Sequence, residues 1–175
     1  MKLIFVRHGQ TEWNAKRLLQ GSTDIPLNRA GVEQAEALRR DVEQSLHALV
    51  EELGVASRVV FAGNQQQVAE CLSLADVVVS SNVRKPEAFG RSMAEALAMG
   101  KPVVARAFGG ALDVVRDGVD GVLVAEGEDY AAQFAAAIEK VSRMKFGNLR
   151  KEALERFSFD KMAERSLSVY KEVSK

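Results

Sequence analysis

Cysteine is almost missing from this chain. Cys71 is the single one in 175 residues, so neither an internal disulfide nor a cysteine-built metal site can form. Proline occurs three times, which argues against a long disordered linker. No excess of either charge exists: Lys and Arg total 24, Asp and Glu total 24, and the formal net charge is zero. That balance argues against an electrostatic nucleic-acid binder and against a polybasic membrane anchor. No apolar run approaches the ~20 residues of a membrane span. The opening run from Met1 to Val6 turns polar at Arg7 and is too short for a signal-peptide core. These absences predict a cytoplasmic protein, and no metal or cofactor is expected. What remains is 47% hydrophobic and 27% charged, the mix of a soluble globular chain with the mass of one ordinary domain.

Short β-rich runs alternate with helical patterns. Leu3 to Val6 reads as a buried strand that ends in Arg7-His8-Gly9. Residues 10 to 28 have no clean period and hold Trp13, so they read as a long loop. Asn28 is a good helix N-cap. Beyond it Ala35, Leu38, Val42, Leu46, Leu49 and Leu53 form one helical stripe, closed by Gly54. His47 lies within that helix and reads as a surface residue. Further strands are expected at Val59 to Ala62, Asp76 to Ser80, Pro102 to Ala105 and Gly121 to Val124. Helices are expected at Gln65 to Leu74, Phe89 to Met99, Gly110 to Arg116 and Asp129 to Met144. The tail, Leu149 to Lys175, reads as two helices jointed near Ser158. Strands apolar on both faces and separated by helices mean a covered parallel sheet. The predicted fold is α/β: a three-layer, doubly wound parallel sheet of five strands in the flavodoxin-like order 2-1-3-4-5, with a C-terminal helical tail. Leu3 to Val6 is expected between the Val59 and Asp76 strands. Residues 1–175 are read as a single α/β domain. Cys71, Met144 and Met162 are expected in the core.

The string Arg7-His8-Gly9-Gln10-Thr11-Glu12-Trp13-Asn14 sits at the end of the first strand. It is followed by Leu19-Gln20-Gly21-Ser22-Thr23-Asp24-Ile25-Pro26-Leu27 and by Asn28-Arg29-Ala30-Gly31. This stretch resembles the opening of the phosphoglycerate-mutase-like histidine phosphatases. The resemblance implies that His8 is the phosphorylated nucleophile and that Arg7 neutralises the phosphoryl oxygens, a sound division of labour for phosphoryl transfer. It covers residues 1 to 41. The second histidine and the acidic proton donor of that family have no counterpart later in the chain.

A second string, Lys85-Pro86-Glu87-Ala88-Phe89-Gly90-Arg91-Ser92-Met93-Ala94-Glu95-Ala96, is followed by Gly100-Lys101-Pro102-Val103-Val104 and by Phe108-Gly109-Gly110. Asp117-Gly118 and Gly121-Val122-Leu123-Val124 come next. Residues 46 to 175 are similar to the nucleotide-sugar-binding C-terminal domain of retaining glycosyltransferases that carry a Glu-x7-Glu motif. The resemblance implies that Glu87 touches hydroxyls of the donor sugar and Glu95 the ribose. It also implies that the amides of Phe89 and Gly90 donate to sugar or phosphate oxygens. Lys85 is a further expected donor contact. On a continuous helix the spacing of Glu87 and Glu95 would put both carboxylates on nearly one face.

Segment 1–45 is thus phosphatase-like and segment 46–175 glycosyltransferase-like, with a seam near Arg39 to Leu46 that keeps the apolar stripe in phase. The sequence reads as a recombined chain, natural or engineered. On that reading it binds a nucleotide-sugar or phosphate weakly at most and has no efficient catalysis. Two alternatives stand beside it: a glycosyltransferase using a nucleotide-sugar donor, and a histidine phosphatase acting through His8. Phe159, Met162, Leu167 and Tyr170 share a side of the tail helix. That side needs cover, either from its own domain or from a second copy in a homodimer.

Overall fold

A computed structural model of the chain describes residues 3–4, 44–63, 65–82 and 88–174. Arg7, His8, Trp13, the Asn28 cap, Lys85 and Glu87 lie outside the described residues. The chain divides into two compact units, one of residues 1–6 and 66–175 and one of residues 7–65.

In the smaller unit, residues 44–52 are helical. The helix ends at Gly54, whose φ is +64°. The Gly54 amide donates to the Glu51 carbonyl and the Val55 amide to the Val50 carbonyl, both at 3.0 Å. That pair of bonds is a Schellman cap, which needs a left-handed residue that glycine supplies without strain. The exposed His47 ring lies 4.0 Å from the Phe61 ring, centroid to centroid. Residues 59–62 are not a strand. Val60 is 88% exposed. A short apolar run forms a strand only where a neighbour pairs with it, and these residues have no such pairing among those described.

The larger unit holds a four-stranded, fully parallel sheet in the order β1-β2-β3-β4. Its strands are β1 (Leu3–Ile4), β2 (Val77–Ser80), β3 (Val103–Arg106) and β4 (Gly121–Val124). Leu3 pairs with Val77, Val78 with Val103, and Val103 with Gly121. The expected five-strand order is corrected accordingly. The four strands follow one another as expected, but the strand placed at Val59 is absent, which leaves β1 at the sheet edge among the described residues.

The helices are α1 (Val68–Ser73), α2 (Arg91–Ala98), α3 (Ala111–Val114), α4 (Tyr130–Arg143), α5 (Leu149–Phe157) and α6 (Phe159–Val173). Alternation along the strands builds two cores. Val78, Val103 and Ala105 face Leu72, Met93, Leu97 and Ala153 of α1, α2 and α5. Val77, Val79, Val104, Val122 and Val124 face Phe134, Ala137 and Val141 of α4. A parallel sheet covered on both faces explains why its strands are apolar throughout rather than alternating. Gly121 is required by close approach: a Cβ there would fall 2.1 Å from the Val103 carbonyl oxygen.

Polar caps set the helix starts. The carboxylate of Asp129 accepts from the Ala132 amide at 3.1 Å, and Asn148 accepts from Lys151 at 3.0 Å. Ser158 ends α5 and caps α6, the joint expected from the sequence. Met144 is half-buried against the α4 core, and Cys71 is half-buried with a free thiol. Met162 is not a core residue. It is 51% exposed, as are Phe159 (71%), Leu167 (57%) and Tyr170 (68%), and no residue of α6 is buried. Among the described residues nothing buries the stripe. No described helix is long and apolar enough to cross a membrane.

Candidate functional site

The carboxyl ends of parallel strands are where open α/β sheets bind ligands. Here Ser80 of β2 and Ala105 of β3 are register partners, so the loops that follow them start side by side. The first loop reaches Ala88-Phe89-Gly90 and then α2. The second runs Ala107-Phe108-Gly109-Gly110 into α3.

The two loops touch through backbone. A Cβ on Gly110 would sit 2.5 Å from both the carbonyl carbon and the carbonyl oxygen of Phe89. Only glycine admits that approach. Gly90 has φ +88° and serves as N-cap of α2 without any side-chain cap. A Cβ there would also strike the Met93 methyl at 2.2 Å. The amino end of α2 therefore opens beside the glycine pair, and its dipole favours an anion.

This geometry corrects the helix expected from Phe89. The left-handed Gly90 ends the preceding backbone path, and α2 begins at Arg91. Glu87 lies outside the described residues, and of the expected pair Glu95 alone is placed, on α2. Glu95 is on α2, half-exposed, with one carboxylate oxygen 3.8 Å from Arg91 Nη2. An exposed pair at that distance contributes little, so the carboxylate is available to a ligand. Phe89 and Gly90 stand at the amino end of α2 and Glu95 lies on α2 itself; Lys85, Glu87, Arg7 and His8 lie outside the described residues. Among the described residues no cluster of three or more His, Cys, Asp or Glu could hold a metal ion.

Several residues around the site gave no signal in the sequence. Arg106 ends β3 with its side chain 11% exposed, 3.2 Å from Glu126. Its guanidinium carbon lies 4.6 Å from the Phe108 ring centroid and 5.5 Å from that of Tyr130. Behind the loops stands an ion network centred on the buried Asp120. Asp120, 2% exposed, accepts from the Arg116 amide and from Arg116 Nε, each at 2.7 Å, and from Arg156 Nη1 at 3.0 Å. Arg116 also donates to Glu152 at 2.6 Å. The hydrogen bond to Glu152, with that to Asp120, holds Arg116 above the ordinary arginine value. Burial pulls Arg156 below it, against the attraction of Asp120. Arg156 Nη2 donates to the carbonyls of Asp113 (3.1 Å) and Val114 (2.9 Å), the carboxyl end of α3. Phe157 packs edge-on against Phe89, with centroids 5.8 Å apart and planes at 81°.

The family model of glycosyl transferases group 1 matches residues 14–157. The putative glycosyltransferase EpsD of Bacillus subtilis is 28% identical over 162 residues, which are 90% of this chain and 42% of that protein. Among solved structures, Anabaena Alr3699/HepE in complex with UDP and glucose superposes with a TM-score of 0.59 at 30% identity, covering 75% of this chain and 37% of that one. A 2,3-bisphosphoglycerate-dependent phosphoglycerate mutase of Staphylococcus epidermidis is 33% identical over 73 residues, 38% of this chain and 32% of that protein. The chain spans about two fifths of the length of the glycosyltransferases it matches.

Proposed function

The chain belongs to the glycosyl transferases of group 1, and from that premise we propose that it binds the nucleotide-sugar donor of a sugar-transfer reaction. The donor class is a uridine diphosphate sugar. The observation that carries the reading is the apposition of Phe89-Gly90 with Gly109-Gly110 at the carboxyl ends of β2 and β3. It supplies helix-opening amides and a surface free of side chains where a diphosphate needs close backbone approach. The solved relative with UDP and glucose supports the choice of donor. Glu95 takes the ribose hydroxyls, and Glu87 and Lys85 the sugar and diphosphate. What is proposed is the donor-binding step. The segment before Arg39 to Leu46, with Arg7 and His8, derives on this reading from a phosphoglycerate-mutase-like protein and adds no efficient phosphatase activity; the partial mutase match supports that derivation.

Calorimetric titration with UDP, UDP-glucose, other nucleoside diphosphates and inorganic phosphate tests the proposal. Saturable binding of UDP compounds, abolished in Glu95→Ala, is expected. Binding of inorganic phosphate alone, lost in His8→Ala, would favour the phosphatase reading instead.

A further inference from the structure

We propose that Arg156 and Phe157, at the carboxyl end of α5, are positioning residues that hold both donor loops from behind; the proposal rests on the donor-site reading above. The two loops need such support. Ala88 to Gly90 has no regular secondary structure, and Gly90 carries a left-handed φ of +88°. The second loop feeds α3, a helix of four residues, too short to hold itself.

Each loop is met by one member of the Arg156-Phe157 dipeptide. The Phe157 ring presses edge-on against Phe89 at 5.8 Å, an arrangement that fixes a ring orientation rather than merely filling space. Arg156 donates to the last two carbonyls of α3, from Asp113 and Val114, and so closes the carboxyl end of the helix that Gly110 begins. Asp120 anchors the same guanidinium. The two side chains also bind each other, with the Arg156 guanidinium carbon 4.4 Å from the Phe157 centroid. Because Gly110 and Phe89 are in backbone contact, a shift of either loop moves the other. The dipeptide lies at least 46 residues from either loop in sequence, yet it sets the spacing of the amides that would face a diphosphate.

Amide hydrogen exchange of the full chain, joined to UDP titration, tests this with Phe157→Leu, Phe157→Tyr and Arg156→Met. Phe157→Leu is expected to speed exchange in residues 88–91 and 108–112 about tenfold and to weaken UDP binding about three- to tenfold, the range one aromatic edge contact supplies. Phe157→Tyr keeps the ring and is expected to restore both. Arg156→Met is expected to speed exchange in residues 108–116. Exchange in α4 should stay unchanged throughout. Unchanged exchange in the two loops of Phe157→Leu, a rise spread equally over α4, or loosened loops with unaltered UDP affinity would each overturn the proposal. If the unmutated chain binds no UDP, the donor reading fails while the exchange pattern still decides whether the dipeptide holds the loops.

Discussion

Replacing Asp120 with alanine removes the acceptor at the centre of the network behind the loops. The carboxylate is 2% exposed and receives one amide and two guanidinium groups. A hydrogen bond to a charged group contributes about 1.5–3 kcal/mol. The Arg116 side chain is 39% exposed and keeps Glu152, so its share is discounted toward the low value of solvent-exposed pairs. Arg156 is 22% exposed and keeps two carbonyl acceptors, which softens its loss. The Arg116 amide loses its carboxylate partner. Together these give about 3 kcal/mol, within the 3–5 kcal/mol range for breaking a buried pair. For a chain of this size that is roughly 6–12 °C in melting temperature. Urea unfolding followed by circular dichroism, with the slope unchanged, measures it. The double variant Asp120→Ala, Arg156→Met should cost clearly less than the sum of the two single changes, because the partners share one network. A loss below about 1 kcal/mol, or strict additivity, would refute the reasoning.

Three further outcomes are expected. Gly110→Ala drives a Cβ to 2.5 Å from the Phe89 backbone, so it should push the loops apart and weaken UDP binding about tenfold or more; titration beside a thermal melt checks it, and wild-type affinity would contradict it. Glu95→Gln alters a half-exposed side chain whose described partner is 3.8 Å away, so stability should change by less than about 0.5 kcal/mol while UDP affinity falls. The exposed stripe of α6 should pair with a second copy, since zero net charge gives little repulsion. Light scattering across a concentration series should then show mass rising above 19.1 kDa, and Tyr170→Glu should reverse it; a constant monomer mass would dismiss the pairing.

Local pattern carried much of the fold. Gly121–Val124 is a strand with the expected bounds, Asp129 caps α4, and Ser158 joins two helices. These features depend on residues within a turn of one another, and periodicity and capping reveal such features. Val59 to Ala62 failed for the opposite reason, because a strand is defined by its neighbour and not by its own apolarity. The stripe on α6 was visible, but its exposure was not: a periodic pattern says that a face wants cover and not what covers it. Within the site, the glycines and Glu95 were legible through motif strings. The left-handed turn at Gly90, after which α2 begins at Arg91 and not at Phe89, was not. Asp120, Arg116, Arg156 and Phe157 gave no motif, since Arg156 meets Asp120 across 36 residues and tertiary packing alone brings them together.

Where UDP-glucose binds tests the donor reading most directly. Amide resonances of the labelled chain can be followed during titration with UDP-glucose. The shifts are expected to concentrate at Phe89, Gly90 and Arg91 and at Gly109, Gly110 and Ala111, with Glu95→Ala removing them. Shifts absent at saturating ligand, or confined to residues away from the ends of β2 and β3, would contradict a donor site there.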